Sequence, residues 1–241
     1  MFTGALGNYR YAVLFYNQKT ESFLQAHAVF FEHLIGSYHQ LVYDNTRVAV
    51  KKFVGPSEKE PTESLLKLSL YYGFDFRFCN AKSGWEKGHV ERSVEYVRRK
   101  AFSFQDEFDF ILKAQEYLAQ VCEHLNSKPQ AANNNKSALE ILEEERAFLL
   151  PHLPPYDSAR TAELRVDKYS TVCIDNCHYS VPDRYVEEFI FAKIYPKHIK
   201  CYYNSRLIAE HEKNTVTNSG VYKFNTTKKH SKKSPVHLQE A

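Results

Sequence analysis

The sequence predicts an α/β domain followed by helices and a small C-terminal β-barrel. Three observations carry that prediction. Strand-like runs of β-branched and aromatic residues alternate with helix-period stretches through the first half of the chain. Two further helical stretches then end at a proline cluster, Pro151, Pro154 and Pro155. From Ala162 onward the texture changes to closely spaced short strands with Asp-Asn and Asn-Ser turn dipeptides.

The elements follow in order. Phe2–Leu6 and Arg10–Tyr16 read as strands. The apolar positions Phe23, Leu24, Ala28, Phe31, Leu34 and Ile35 recur at helical spacing, with Thr20 placed as N-cap and Gly36 as the stop. Gln40–Tyr43 is a short buried-strand pattern ending on the turn dipeptide Asp44-Asn45. Lys51–Glu63 reads as a polar loop, Glu63–Tyr72 as a helix stopped by Gly73, and Phe74–Phe78 as an alternating strand. Asn80–Gly88 reads as a loop, and a helix begins at Val90. Asp106–Ser127 and Ser137–Leu150 read as helices around the Asn-rich loop Lys128–Lys136. The barrel strands are placed at Ala162–Val166, Thr171–Ile174, Cys177–Val181, Phe189–Ile194, Ile199–Tyr203 and Arg206–Glu210. The residues from Asn214 on are polar and lysine-rich and read as a disordered basic tail. This gives four segments: 1–126, 127–158, 159–213 and 214–241.

Composition narrows the class. The 241 residues suffice for one sizeable core and a smaller second one. The 17 Tyr and 17 Phe fill a core or stack on bases, and core is favoured because aromatics are mostly buried. A net charge of +3 is too small to announce nucleic acid, but basic residues crowd into Lys82–Lys100 and the tail. No apolar run approaches the ~20 residues of a membrane span. Five scattered cysteines without a signal-peptide pattern fit a reducing, cytoplasmic setting.

Two acids draw attention. Asp44 follows a strand's C-terminal end, where α/β domains bind ligands; a turn aspartate bonding its own backbone is the competing reading. Glu91 is expected at a helix opening after a loop carrying Lys82, Gly84, Lys87 and Gly88. There it either serves a phosphate-and-metal site or complements the helix dipole. Lys82, Lys87, Arg92, Arg98, Arg99 and Lys100 are candidate phosphate contacts or members of a solvated face. His89 is a further candidate contact to phosphate, and Trp85 stacks on a base or anchors packing. Cys173, Cys177 and His178 lack a second ligand pair at zinc-finger spacing and read as strand residues.

Together, Leu41-Val-Tyr-Asp-Asn, Ala49-Val-Lys-Lys, Tyr72-Gly-Phe, Arg77-Phe-Cys-Asn, Gly88-His-Val-Glu, Tyr96-Val-Arg-Arg and Tyr179-Ser-Val-Pro resemble IstA-type insertion-sequence transposases. That family lies within the retroviral-integrase superfamily, and the resemblance covers nearly all the chain except the tail. It implies an RNase H-like integrase core (a DDE catalytic core) lacking its first strand. It also implies that Asp44 and Glu91 are the second and third acids of a triad binding two Mg²⁺ or Mn²⁺ ions, hard cations that take oxygen ligands. DNA, further copies of the chain and a helper ATPase are the implied partners. Residues 1–43 contain no aspartate, and their acids, Glu21 and Glu32, fall in the expected helix. The first acid is therefore missing, and an inactive, N-terminally truncated transposase is expected. The alternative is a non-catalytic remnant that binds DNA or associates with transposase.

Overall fold

The computed structural model describes residues 1–44, 46–53, 59–79, 84–213 and 222–223, with backbone alone at 53, 84–91 and 222–223. The chain divides into two compact units. The first comprises Met1–Leu14, Ala26–Pro155 and Thr217–Ala241; the second comprises Phe15–Gln25 and Tyr156–Val216.

In the first unit, β1 (Phe2–Thr3) pairs antiparallel with β2 (Arg10–Tyr11). Both strands are shorter than their apolar runs. On the side of β2 away from β1, and in the residues after it, the backbone partners are side-chain amides. Asn126 bonds both the N–H and the carbonyl of Arg10, and Gln115 accepts from Leu14 N–H and donates to the Ala12 carbonyl. A strand-like sequence thus meets a helix instead of another strand.

Helix α1 spans Thr20–Leu34. Thr20 is not its cap. The Lys19 carbonyl accepts the first amides, from Ser22 and Phe23, and the Asn17 side chain accepts from Lys19 N–H and the Ser22 hydroxyl. The exit also differs from expectation. Ile35, at φ 57, takes the left-handed position that glycine usually fills. Gly36 serves another purpose: a Cβ there would lie 2.7 Å from the Leu150 carbonyl oxygen. That close approach lets Ser37 and Leu150 exchange two backbone hydrogen bonds, at 3.3 and 2.8 Å.

Strand β3 (Gln40–Tyr43) has the expected bounds. The expected loop at Lys51–Glu63 instead contains a hairpin, β4 (Val50–Phe53) with β5 (Lys59–Pro61). Lys51 and Lys52 are exposed, Val50 is buried and Lys59, Glu60 and Pro61 are half-buried, so no regular apolar alternation announces it. Helix α2 (Glu63–Tyr72) is bounded by local chemistry. The Thr62 hydroxyl accepts from Leu65 N–H, and Gly73 closes the helix at φ 74. Strand β6 (Asp75–Phe78) then pairs parallel with β3, Gln40 to Asp75 through Tyr43 to Phe78.

Helix α3 spans Gly84–Phe102, beginning six residues before the expected Val90. Strand β7 (Glu107–Phe108) replaces the start of the helix expected from Asp106; α4 covers Ile111–Asn126. Val97, Ala101 and Phe102 of α3 pack with Ala114, Leu118 and Cys122 of α4 in one apolar cluster. Helix α5 (Ala138–Glu145) opens with a reciprocal capping box between Ser137 and Glu140 and ends in a short 3-10 turn, Arg146–Phe148.

The second unit contains β8 (Arg160–Arg165), β9 (Thr171–Ile174), β10 (Cys177–Ser180), β11 (Phe189–Ile194), β12 (His198–Tyr203) and β13 (Arg206–Glu212). An antiparallel sheet runs β13-β12-β11-β8, and β9–β10 form a separate hairpin. The Asp175-Asn176 and Asn204-Ser205 turns have positive φ at both residues, as two-residue hairpins require. A cluster built on Val172, Ile174, Tyr179, Ile190, Ile194 and Ile199 forms the core. The expected closed barrel is not found among the described residues. No ladder joins β9–β10 to the four-stranded sheet; side chains do, with His211 Nε2 2.7 Å from the Ser180 carbonyl and the Tyr179 and His211 rings 5.6 Å apart.

Residues 15–25 join this unit through a buried ionic cluster. Lys213 Nζ, on a side chain 5% exposed, lies 2.9 Å from Asp175 Oδ2 and 3.7 Å from Glu21 Oε1. Lys19 and Arg160 reach the same Asp175 carboxylate at 3.3 and 3.0 Å. Burial alone would raise the Asp175 carboxyl; the Lys213, Lys19 and Arg160 cations outweigh it and hold the group below its usual range. Finally, β14 (Tyr222–Lys223) pairs with β7 in the first unit, so these two residues are strand and not disordered tail. The other expected tail residues lie outside the described ones.

Gly36→Ala is expected to cost about 1–3 kcal/mol because the Leu150 carbonyl cannot retreat without breaking its bonds to Ser37. Ile35→Asn is expected to gain roughly 1 kcal/mol by relieving the left-handed backbone. Urea-denaturation midpoints measure both. Lys213→Ala leaves the buried Glu21 carboxylate without its cation, while Asp175 keeps Lys19 and Arg160, and is expected to cost about 3 kcal/mol. The low Asp175 value stabilises the fold above the unfolded carboxylate value, about pH 3.9, and this contribution is lost as pH falls through the folded value. Acid unfolding below about pH 4 should therefore be shallower in Lys213→Ala than in the parent protein.

Candidate catalytic acids and the cationic helix

Asp44 stands one residue past β3, half-buried, at the C-terminal end of the parallel pair. The neighbouring end is fixed by Cys79 N–H donating to the Tyr43 carbonyl at 2.9 Å. Just beyond, the Asp44 carbonyl accepts from Thr46 N–H at 2.7 Å, and the Thr46 carbonyl accepts from Ala49 and Val50. This compact turn holds the residue at the edge. Tyr43 anchors the strand from beneath, its hydroxyl 2.9 Å from His27 Nε2. Burial pushes the Tyr43 phenol well above its usual range, so it stays neutral.

The same strand end leads toward α3. Cys79 is buried directly after β6, and α3 begins at Gly84. Lys82 lies outside the described residues. Position 91 comes seven residues into α3, about 10 Å along its axis. The structure thus corrects the placement of Glu91: it is two turns inside the helix and does not complement its N-terminus. Lys87 and His89, expected on a loop, are also helical, as is Trp85. The side chains of Glu91, Lys87 and His89 lie outside the described ones.

The rest of α3 has a clear inside and outside. Ser93, Val97 and Ala101 are buried. Ser93 Oγ meets Thr3 Oγ1 at 3.0 Å, and the Arg10 guanidinium lies 5.2 Å from the Tyr96 ring centre, so α3 packs on β1–β2. Arg92, Arg99 and Lys100 are exposed and Arg98 is half-buried. Lys100 Nζ lies over the same Tyr96 ring at 5.9 Å. The described part of α3 therefore presents a cationic outer face on a helix anchored from within.

Among the described residues, no group of three or more His, Cys, Asp or Glu side chains is arranged to hold a metal ion. In the second unit, Cys173 lies directly across from His178, both exposed, whereas Cys177 is half-buried beside the buried Tyr179. His178 Nδ1 instead approaches Thr171 Oγ1 at 3.1 Å. Sequence reasoning missed the open cleft at Arg184 and Arg206 in this unit, because its residues lie on separate turns without a shared motif.

Residues 150–222 match the family model described as Mu transposase, C-terminal domain. Over 196 residues the chain is 26% identical to a transposase of Aminobacter aminovorans, covering 81% of this chain and 39% of that protein. It is 27% identical over 197 residues to the transposase for insertion sequences IS1326/IS1353 of Pseudomonas aeruginosa, covering 82% of this chain and 39% of the relative. The Shigella flexneri protein of the same description matches equally. These relatives are transposases. The comparisons support an insertion-sequence transposase, and the chain spans about two fifths of the length of the curated relatives it matches.

Thiol exposure gives a direct check on the fold. Burial pushes the Cys122 and Cys201 thiols up to about 11, and Cys79 is buried as well. In the native protein a maleimide is expected to label Cys173 first, with Cys79, Cys122 and Cys201 reacting only on unfolding. Peptide mass mapping over time reads the order.

Proposed function

We propose that this chain is the later part of the catalytic core and the C-terminal domain of an IstA-type insertion-sequence transposase with an RNase H-like core. The observation that carries the reading is the alignment of four fifths of the chain with transposases, reinforced by the match of residues 150–222 to a transposase C-terminal domain. The site geometry supports it. Asp44 stands at the carboxyl end of a parallel strand pair, and α3, carrying Glu91, departs from the same end. Asp44 and Glu91 are then two of three metal-binding acids. Mg²⁺ or Mn²⁺ held there would clamp the attacking and leaving oxygens of a phosphodiester. The first acid has no counterpart among residues 1–43, which contain no aspartate, so this chain by itself is expected not to transfer DNA strands. Its own residues act by binding DNA: the exposed Arg92, Arg99 and Lys100 of α3, with Lys82, Lys87, His89 and Arg98, contact phosphates.

The exposed cationic face favours a second reading, a non-catalytic remnant that binds DNA or joins intact transposase subunits. Oligomerisation, a helper ATPase and a cytoplasmic setting belong to the same proposal. No helix among the described residues is long and apolar enough to cross a membrane.

Strand-transfer assays with Mg²⁺ or Mn²⁺ test the catalytic part. No product is expected from the chain alone; product that disappears in Asp44→Asn would show that the two acids suffice. Salt-dependent binding of duplex DNA tests the remainder. Replacing Arg99 and Lys100 by Ala is expected to lower the slope of log Kd against log salt by about 2. A chain with no salt-dependent DNA affinity would sink the DNA-binding reading.

A further inference from the structure

The second unit carries a feature that neither the acids nor α3 account for. An open cleft of about 440 Å³ is lined by Arg184, Tyr185, Glu188, Tyr203, Asn204 and Arg206. Its walls come from separate pieces of backbone: the 3-10 turn Asp183–Tyr185, the segment before β11, and the turn between β12 and β13. Tyr185 is buried in the core, and its ring lies 4.9 Å from that of Tyr203. The Arg184 guanidinium sits over Tyr185 at 4.9 Å. A guanidinium stacked on a fixed ring is oriented before any ligand arrives, and its N–H edge remains available to acceptors in its plane. Arg206 is exposed at the other side, paired across the hairpin with Tyr203, and makes no ion pair among the described residues.

The charge balance is two guanidinium groups against one carboxylate, Glu188. That carboxylate is engaged, its Oε2 accepting from the Tyr203 hydroxyl at 3.2 Å. The cleft therefore offers two forked donors above an aromatic floor and keeps a net positive charge. Guanidinium forks match the oxygens of a phosphate, and the half-buried Tyr203 ring offers its surface to a sugar or base beside it. We infer that this cleft binds a phosphodiester of the DNA backbone, with Arg184 and Arg206 as its clamp and Glu188 as a brake on its affinity. The choice of DNA over other anions rests on the transposase reading. An open cleft cannot enclose a free phosphate ion, so useful affinity requires the neighbouring phosphates of a polymer.

The test uses the full chain and fluorescent duplex DNA, with Kd followed across a salt series. Replacing Arg184 and Arg206 together by Ala is expected to reduce the log–log salt slope by about 1, since the one lost phosphate contact removes about 0.9. The double Lys variant is expected to restore the slope but not the full affinity, because charge returns without the fork. Glu188→Gln is expected to tighten binding several-fold. Both arginines are exposed, so the thermal midpoint of each variant should stay near that of the parent. If the parent binds DNA and the Ala pair retains its slope and affinity, the cleft assignment falls while the transposase reading stands. If the parent shows no salt-dependent binding, both fall. Competition by inorganic phosphate beyond that of sulfate at equal ionic strength would mark a free-anion site and overturn the DNA assignment.

Discussion

The first unit depends on one face of α1. His27, Ala28, Phe30, Phe31 and Leu34 are buried, at the three-and-four spacing of a helix stripe. Phe2 of β1 stacks on Phe30 at 4.2 Å, and Tyr11 of β2 reaches the same ring at 5.3 Å. Tyr43 of β3 meets His27, Tyr72 at the end of α2 meets Phe31 at 4.6 Å, and Phe74 meets Phe31 at 5.7 Å. The sheets themselves are small: two strands of two residues, and a parallel pair of four. Pieces of that size do not hold by their own ladders. Burial of large apolar side chains, at about 1.5–3 kcal/mol each, is what fixes them. The position of Asp44 is therefore set less by a sheet than by the helix beneath it.

The second unit solves its problem with charge. Ion pairs in the first unit, such as Lys67–Glu63 and Lys113–Asp109, are solvent-exposed and contribute little. In the second, Lys213 and Glu21 are nearly excluded from water. Glu21 Oε1 has no hydrogen-bond donor among the described residues and is held by attraction alone. Such an arrangement is weak evidence for net stability, but it penalises any packing that separates its members. It therefore specifies which segment docks on the β-structure: residues 15–25, which the sequence places far from Lys213.

Much of the fold was legible wherever the deciding chemistry is local. The bounds of α2 follow from Thr62 and Gly73, and β3, β9 and β11 from short apolar runs next to turn residues. Readings failed where distant groups decide. The strand ending at Tyr11 depends on Asn126 and Gln115, and the exit of α1 depends on Leu150. The β4–β5 hairpin sets lysines and a glutamate between the buried Val50 and the half-buried Pro61, so the usual apolar alternation is missing. Gly84 and Gly88 signalled a loop, yet helix runs through Gly88. At the site, the place of Asp44 at a strand end was readable from four preceding residues. The depth of Glu91 within its helix was not, because the helix begins where its sequence is least helical.

The short pairing of β14 with β7 gives the chain an unusual itinerary. It enters the first unit, leaves for residues 15–25, returns, departs again for residues 156–216, and comes back at Tyr222. Neither unit is one uninterrupted stretch. Recombination that exchanged the C-terminal β-structure as a cassette would take the partner of Glu107–Phe108 with it and leave the Glu21-bearing segment behind. Changes at Lys213 are consequently constrained by Glu21, a residue of the same unit that most of the first unit's sequence separates from it.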